Sequence, residues 1–184
     1  ADFIDNAGGV NSSDLEVNIK ILFQQVMQNT KLTVKERNKI LAKMTDDVGE
    51  LVLRNNYQQT QGISVTAHNA YDKLPNHAAL IEHLEQTFDL NREVEYLPSN
   101  AAIESRSKDQ KGLTAPELST LVSYTKIKLF QDLVDSNLPD DPAFHDWLTS
   151  YFPNLMTAKY EKYMSEHSLH REIIATQMAN SIVN

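Results

Sequence analysis

The chain of 184 residues contains no cysteine. That absence excludes disulfide scaffolds, thiolate zinc sites, cysteine nucleophiles and thiol redox chemistry together, and what remains suits a reducing cytoplasm. No stretch approaches the roughly 18 continuous apolar residues of a membrane span, and the opening run Ala1 to Asn6 lacks the basic region and apolar core of a signal peptide. No membrane partner is expected. Positive charge is scarce as well. Lys and Arg number 17 against 25 Asp and Glu, a formal net charge of -8, so nucleic acid is not an expected partner either. Only 5 Gly and 6 Pro punctuate the chain.

What is present is apolar and periodic. Hydrophobic residues make up 41% of the chain, enough for one substantial domain or two small ones. They recur at three and four positions rather than alternating, which predicts an all-α, multi-helix bundle. Only Asp2 to Asp5 reads as a strand. A first helix is expected from Ser13, with Ser13 and Glu16 at capping-box spacing and Leu15, Ile19, Leu22, Phe23 and Val26 on one face. Val17 and Ile21 lie off that stripe, which widens the apolar arc and predicts burial on more than one side. Thr33 with Glu36 repeats the capping signal, and Thr45 and Asp46 offer another start, with Gly49 read as a close-packing point. Tyr57 to Gly62 is polar and reads as a break, followed by helices over 64–73, ended by Pro75, and 76–88. Thr114, Pro116 and Glu117 open the strongest helix, with Leu118, Leu121, Val122, Leu129 and Leu133 in phase. Asp141 before Pro142 starts a short helix, Pro153 interrupts, and Ser168 is expected to cap the last one.

Candidate chemistry concentrates at the front. Asp5-Asn6-Ala7-Gly8-Gly9-Val10 reads as a glycine turn feeding a capped helix, a place where backbone N–H groups and the helix dipole suit an anion; the alternative is an ordinary turn and N-cap. His167 and His170 have HxxH spacing and His77 and His83 form a looser pair, but zinc needs three or four ligands, so both pairs are read as solvated surface. The neighbouring carboxylates Asp46, Asp47 and Asp140, Asp141 diverge by about 100° on a helix and are read as caps and dipole partners. Trp147, Tyr151, Phe152 and Tyr160 are read as core rather than as a base-stacking surface.

The run Asp5 to Val10 with Ser13 and Glu16, continuing through Glu16-Val17-Asn18-Ile19-Lys20-Ile21, resembles the end of the catalytic domain of the large bacterial NAD-dependent glutamate dehydrogenases. Gly112-Leu113-Thr114-Ala115-Pro116-Glu117-Leu118, Tyr124-Thr125-Lys126-Ile127, Leu138-Pro139-Asp140-Asp141-Pro142, Tyr151-Phe152-Pro153 and Arg171 to Thr176 resemble that family's C-terminal helical region in the same order. The resemblance implies a longer parent enzyme that oxidises L-glutamate with NAD and water to 2-oxoglutarate, ammonia and NADH. It further implies that Asn6, Gly8 and Gly9 border the cofactor and that Val10 and Ser13 border the substrate. Large members of the family more often carry Ser-Ala-Gly at Ala7-Gly8-Gly9, and His at Leu15, so no role is carried over to position 15. The family's catalytic Lys and Asp have no counterpart here, and no GxGxxG or GxxxxGK[ST] occurs.

The implied organisation is the end of the catalytic NAD-binding domain and a connecting helix over 1–29, a first helical subdomain over 30–98, a linker or short helix over 99–112, and a second helical subdomain over 113–184. The expected partners are the rest of the same polypeptide and further copies of it, and the expected role is structural, oligomeric or regulatory, without activity in isolation. An independent α-helical interaction module and a small helical metalloenzyme using His167 and His170 are the competing readings.

Overall fold

The computed structural model describes residues 2–184, with side chains from residue 4 onward. Ten α-helices follow one another among the described residues, without a strand: α1 (Asp2–Asp5), α2 (Ala7–Asn29), α3 (Val34–Lys43), α4 (Thr45–His68), α5 (Leu74–Thr87), α6 (Asn100–Lys108), α7 (Ala115–Asp135), α8 (His145–Tyr151), α9 (Asn154–Met164) and α10 (His170–Val183). Two 3-10 turns, Leu138–Asp140 and Pro142–Phe144, lie between α7 and α8.

Where a start signal is local and complete, the helix begins on it. Thr33 accepts the Glu36 N–H at 3.3 Å while the Glu36 carboxylate accepts the Thr33 N–H at 2.9 Å, closing a capping box on α3. At α7 the Glu117 carboxylate accepts the Thr114 N–H at 2.7 Å and also receives both guanidinium arms of Arg106, at 2.6 and 2.8 Å. Burial raises the Glu117 pKa, but these donors outweigh it and hold the carboxyl below its ordinary value.

Several expectations are corrected. Asp2–Asp5 is helix, not strand. α2 starts at Ala7, six residues ahead of Ser13, so Ser13 is an exposed mid-helix residue and Glu16 pairs with Lys20 at 2.5 Å instead of capping. The polar run 57–62 does not break the chain but lies inside α4, where a helix needs apolar residues on one face only. Pro75 sits in the first turn of α5, where its missing N–H costs nothing, and does not end the preceding helix. A Cβ on Gly49 would meet nothing, so that glycine marks open space. Leu169, not Ser168, precedes α10, with no side-chain cap.

Two apolar cores result. The larger gathers Leu15, Ile19, Leu22, Phe23 and Val26 of α2 with Met44, Leu133 and the buried faces of α8, α9 and α10. The smaller gathers Leu74, Ile81 and Leu84 of α5, Ile103 of α6, and Leu118 and Leu121 of α7. α7 therefore serves both, its first turns in the smaller core and Leu133 in the larger. At the junction, Gly112 lies against the Ala70 backbone so closely that a Cβ would collide with it.

Candidate functional site

α2 has two unlike faces. At 100° per residue, Leu15, Asn18, Ile19, Leu22 and Val26 fall on one arc, and all are buried. Gly9, Ser13, Asn6, Val17 and Val10 fall within a second arc about 100° wide on the other side, and all are exposed. The two valines there are 57% and 47% exposed, large fractions for apolar side chains in a helix this well anchored. Gly8 lies off this arc. Both glycines are helical, and no glycine has a positive φ, so the expected Gly-Gly turn is corrected to the first turn of a helix. The burial of the arc carrying Leu15 to Val26 outweighs the roughly 1 kcal/mol that each glycine costs relative to alanine. Gly9 nonetheless has a use, because a Cβ there would collide with Asn6 Oδ1; its absence lets the Asn6 carboxamide lie back over the first turn. Neither that carboxamide nor the Ser13 hydroxyl hydrogen bonds a described residue of the chain.

At the edge of the buried arc runs a polar chain that the sequence did not disclose. The Tyr151 hydroxyl donates to Asp14 Oδ2 at 2.8 Å and accepts from Asn18 Nδ2 at 2.8 Å, and the same nitrogen lies 3.2 Å from Asp14 Oδ1. His167 completes it. Its Nδ1 accepts the Leu169 N–H at 3.1 Å, which assigns the proton to Nε2, and Nε2 donates to the Asn18 main-chain oxygen at 3.1 Å. The reading of His167 as solvated surface is therefore corrected: it is fully buried, against Phe152, and burial lowers its pKa. His170 donates to the His167 main-chain oxygen instead of sharing a ligand with it. His77, also read as surface, is likewise buried, and its pKa too is lowered by burial.

The remaining candidates have structural roles. Asp141 accepts the Ala143 N–H at 2.9 Å, Asp140 pairs with Arg171, and Asp46 and Asp47 occupy the first turn of α4. Tyr151 and Phe152 meet edge to face at 5.0 Å and Tyr160 meets Phe23 at 5.8 Å, as core aromatics. A cleft of about 430 Å³ between α2, α4, α8 and α10 was not foreseen; Asn11, Arg54, Gln58, Trp147 and Gln177 line it. Its sequence signal is the polar run 57–62 of α4, whose Gln58, Gln59 and Gln61 line it.

Residues 1–66 match the family described as bacterial NAD-glutamate dehydrogenase, catalytic domain, and residues 110–184 match glutamate dehydrogenase, C-terminal. The chain is 46% identical over 183 residues to the NAD-specific glutamate dehydrogenase of Halomonas elongata, 46% to that of Pseudomonas aeruginosa and 38% to that of Mycobacterium tuberculosis. In each comparison the match covers 100% of this chain and 11% of the relative, so the chain spans about a ninth of the length of the proteins it resembles.

Proposed function

Since the chain belongs to the family of large NAD-specific glutamate dehydrogenases, we propose that it is the C-terminal helical part of such an enzyme, which converts L-glutamate, NAD and water to 2-oxoglutarate, ammonia and NADH in the cytoplasm. In this reading residues 1–29 close the catalytic domain, and residues 30–98 and 113–184 support it from either side of 99–112. NAD, when bound, takes up the hydride that leaves the glutamate α-carbon. The residues of this chain bind and orient. Asn6 offers a carboxamide at the nicotinamide edge, over a first turn in which Gly8 and Gly9 carry no side chain. Val10 supplies an apolar wall, and the Ser13 hydroxyl donates to the side-chain carboxylate of glutamate.

One observation carries the reading: the exposed arc that runs from Asn6 into α2 presents the Asn6 carboxamide and the Ser13 hydroxyl, neither bonded to a described residue, while the opposite arc is buried in the larger core. A ligand-facing helix held from behind has this form. The exposed Leu53 and Tyr57 of α4, 71% and 67% accessible, offer apolar surface for contact between subunits of a homo-oligomer. The chain alone is inactive, because the catalytic Lys and Asp lie elsewhere in the enzyme.

In the full-length enzyme, Ser13→Ala should raise the glutamate KM about tenfold and change the NAD KM far less, as expected for one lost hydrogen bond to a charged group. An unchanged glutamate KM would refute the assignment.

A further inference from the structure

Apolar packing leaves a helix some freedom to turn about its own axis, because dispersion and burial have no direction. Hydrogen bonds do have direction, and α2 is held by several of them in one place. Only four polar residues are buried among those described, and two of them, Asn18 and His167, meet here. Tyr151 reaches α2 from the end of α8, and His167 reaches it from the segment joining α9 to α10. Asp14 and Asn18 are one turn apart, so α2 is gripped at two successive levels by two different elements. Turning the helix would break the bonds at both levels together and leave the buried Tyr151 hydroxyl and the His167 Nε2–H without their partners on α2, each at a substantial cost.

Asp14 follows Ser13 directly, and Ser13 lies on the exposed arc with Asn6 and Val10. We propose that the hydrogen-bonded chain Asp14, Tyr151, Asn18, His167 is a positioning device that sets the rotation of α2 and thereby aims Ser13 at the substrate. Tyr151 and His167 are then positioning residues, which act through Ser13 and touch no ligand. The inference rests on the assignment of Ser13 made above. A phenyl ring would fill the Tyr151 site as well as a phenol does, and its contact with Phe152 would persist; what the hydroxyl adds is direction.

The test is a kinetic double-mutant cycle in the full-length enzyme with glutamate and NAD. Tyr151→Phe should raise the glutamate KM about fivefold, the loss expected for a modest misplacement of one hydrogen-bonding group. In the Ser13→Ala background the same change should leave the glutamate KM within about twofold, since the group to be aimed is already gone. Asp14→Ala should copy Tyr151→Phe, while Asp14→Asn keeps an acceptor for the hydroxyl and should restore the parent KM. If Tyr151→Phe does not yield folded enzyme, Asp14→Ala at its exposed position carries the cycle. Equal factors in both backgrounds would assign the chain of bonds to general stability and overturn the inference. A silent Tyr151→Phe beside an effective Ser13→Ala would overturn it alone, whereas a silent Ser13→Ala would remove the assignment beneath it and the inference with it.

Discussion

The larger core buries four methionines, Met44, Met156, Met164 and Met178, and packs hydrogen-bonded His167 against Phe152, whereas the apolar cluster of the smaller core is made of alanine, leucine and isoleucine. The smaller core takes its direction from its surface instead. Arg92 binds both oxygens of Glu85 and reaches the Pro98 main-chain oxygen and Asn100, which holds the loop after α5; Arg106 does the same for the entry to α7 through Glu117. Methionine adapts its shape readily and specifies position weakly. A core rich in it gains more from internal directional bonds than a core of branched aliphatics does. The core that carries the candidate site is the one that has them.

The sharpest way to break this contrast is to hollow each core in turn. Phe23→Ala should cost about 3 to 5 kcal/mol and Ile81→Ala about 2 to 5 kcal/mol. Because α7 runs through both, each variant should shift one cooperative urea transition; two separated transitions would show that the cores unfold independently. Next in size is the surface clamp. Arg106→Ala leaves Glu117, with only 12% of its side chain exposed, short of its main donor, and should cost about 2 kcal/mol in the same measurement.

The smallest effect concerns the two buried histidines, one beside each core. Burial first, then Lys73, lowers the His77 pKa. At His167 burial and His170 outweigh the raising influence of the Asn18 carbonyl and Glu172. The unfolded chain therefore holds these protons more tightly than the folded one. The stability they contribute is complete above the ordinary histidine value of 6.5 and declines as pH falls below it. His167→Gln keeps an N–H for the Asn18 oxygen and removes the titration. A flatter profile of unfolding free energy between about pH 5 and about pH 8 is expected for this variant, and a profile equal to the parent's would place the acid sensitivity elsewhere.

Features set by neighbours in the chain were legible in the sequence. The Thr33 and Thr114 starts depend on a residue three positions on, and the apolar phase of α7 depends on spacing alone. Features set by distant partners were not. Gly8 and Gly9 look like a turn until the whole burial of α2 is weighed against them. Gln58 to Gln61 look like a break because a helix can line a cleft with its polar side. His167 looks solvated because its partner, the Asn18 oxygen, lies 149 positions away. Of the candidate site, sequence supplied the residues of the exposed arc, while the bonds that hold it from behind came only with the fold.

The passage of α7 through both cores has a consequence for how the chain responds to cutting. α4 precedes, and α7 follows, everything that belongs to the smaller core alone, and these two helices pack on each other. A protease that nicks the loop between α5 and α6 severs one covalent strand but leaves the severed pieces clasped along this pair. Such a nicked chain should migrate as one particle until it is denatured, and the exposed arc of α2 should keep its bearing throughout.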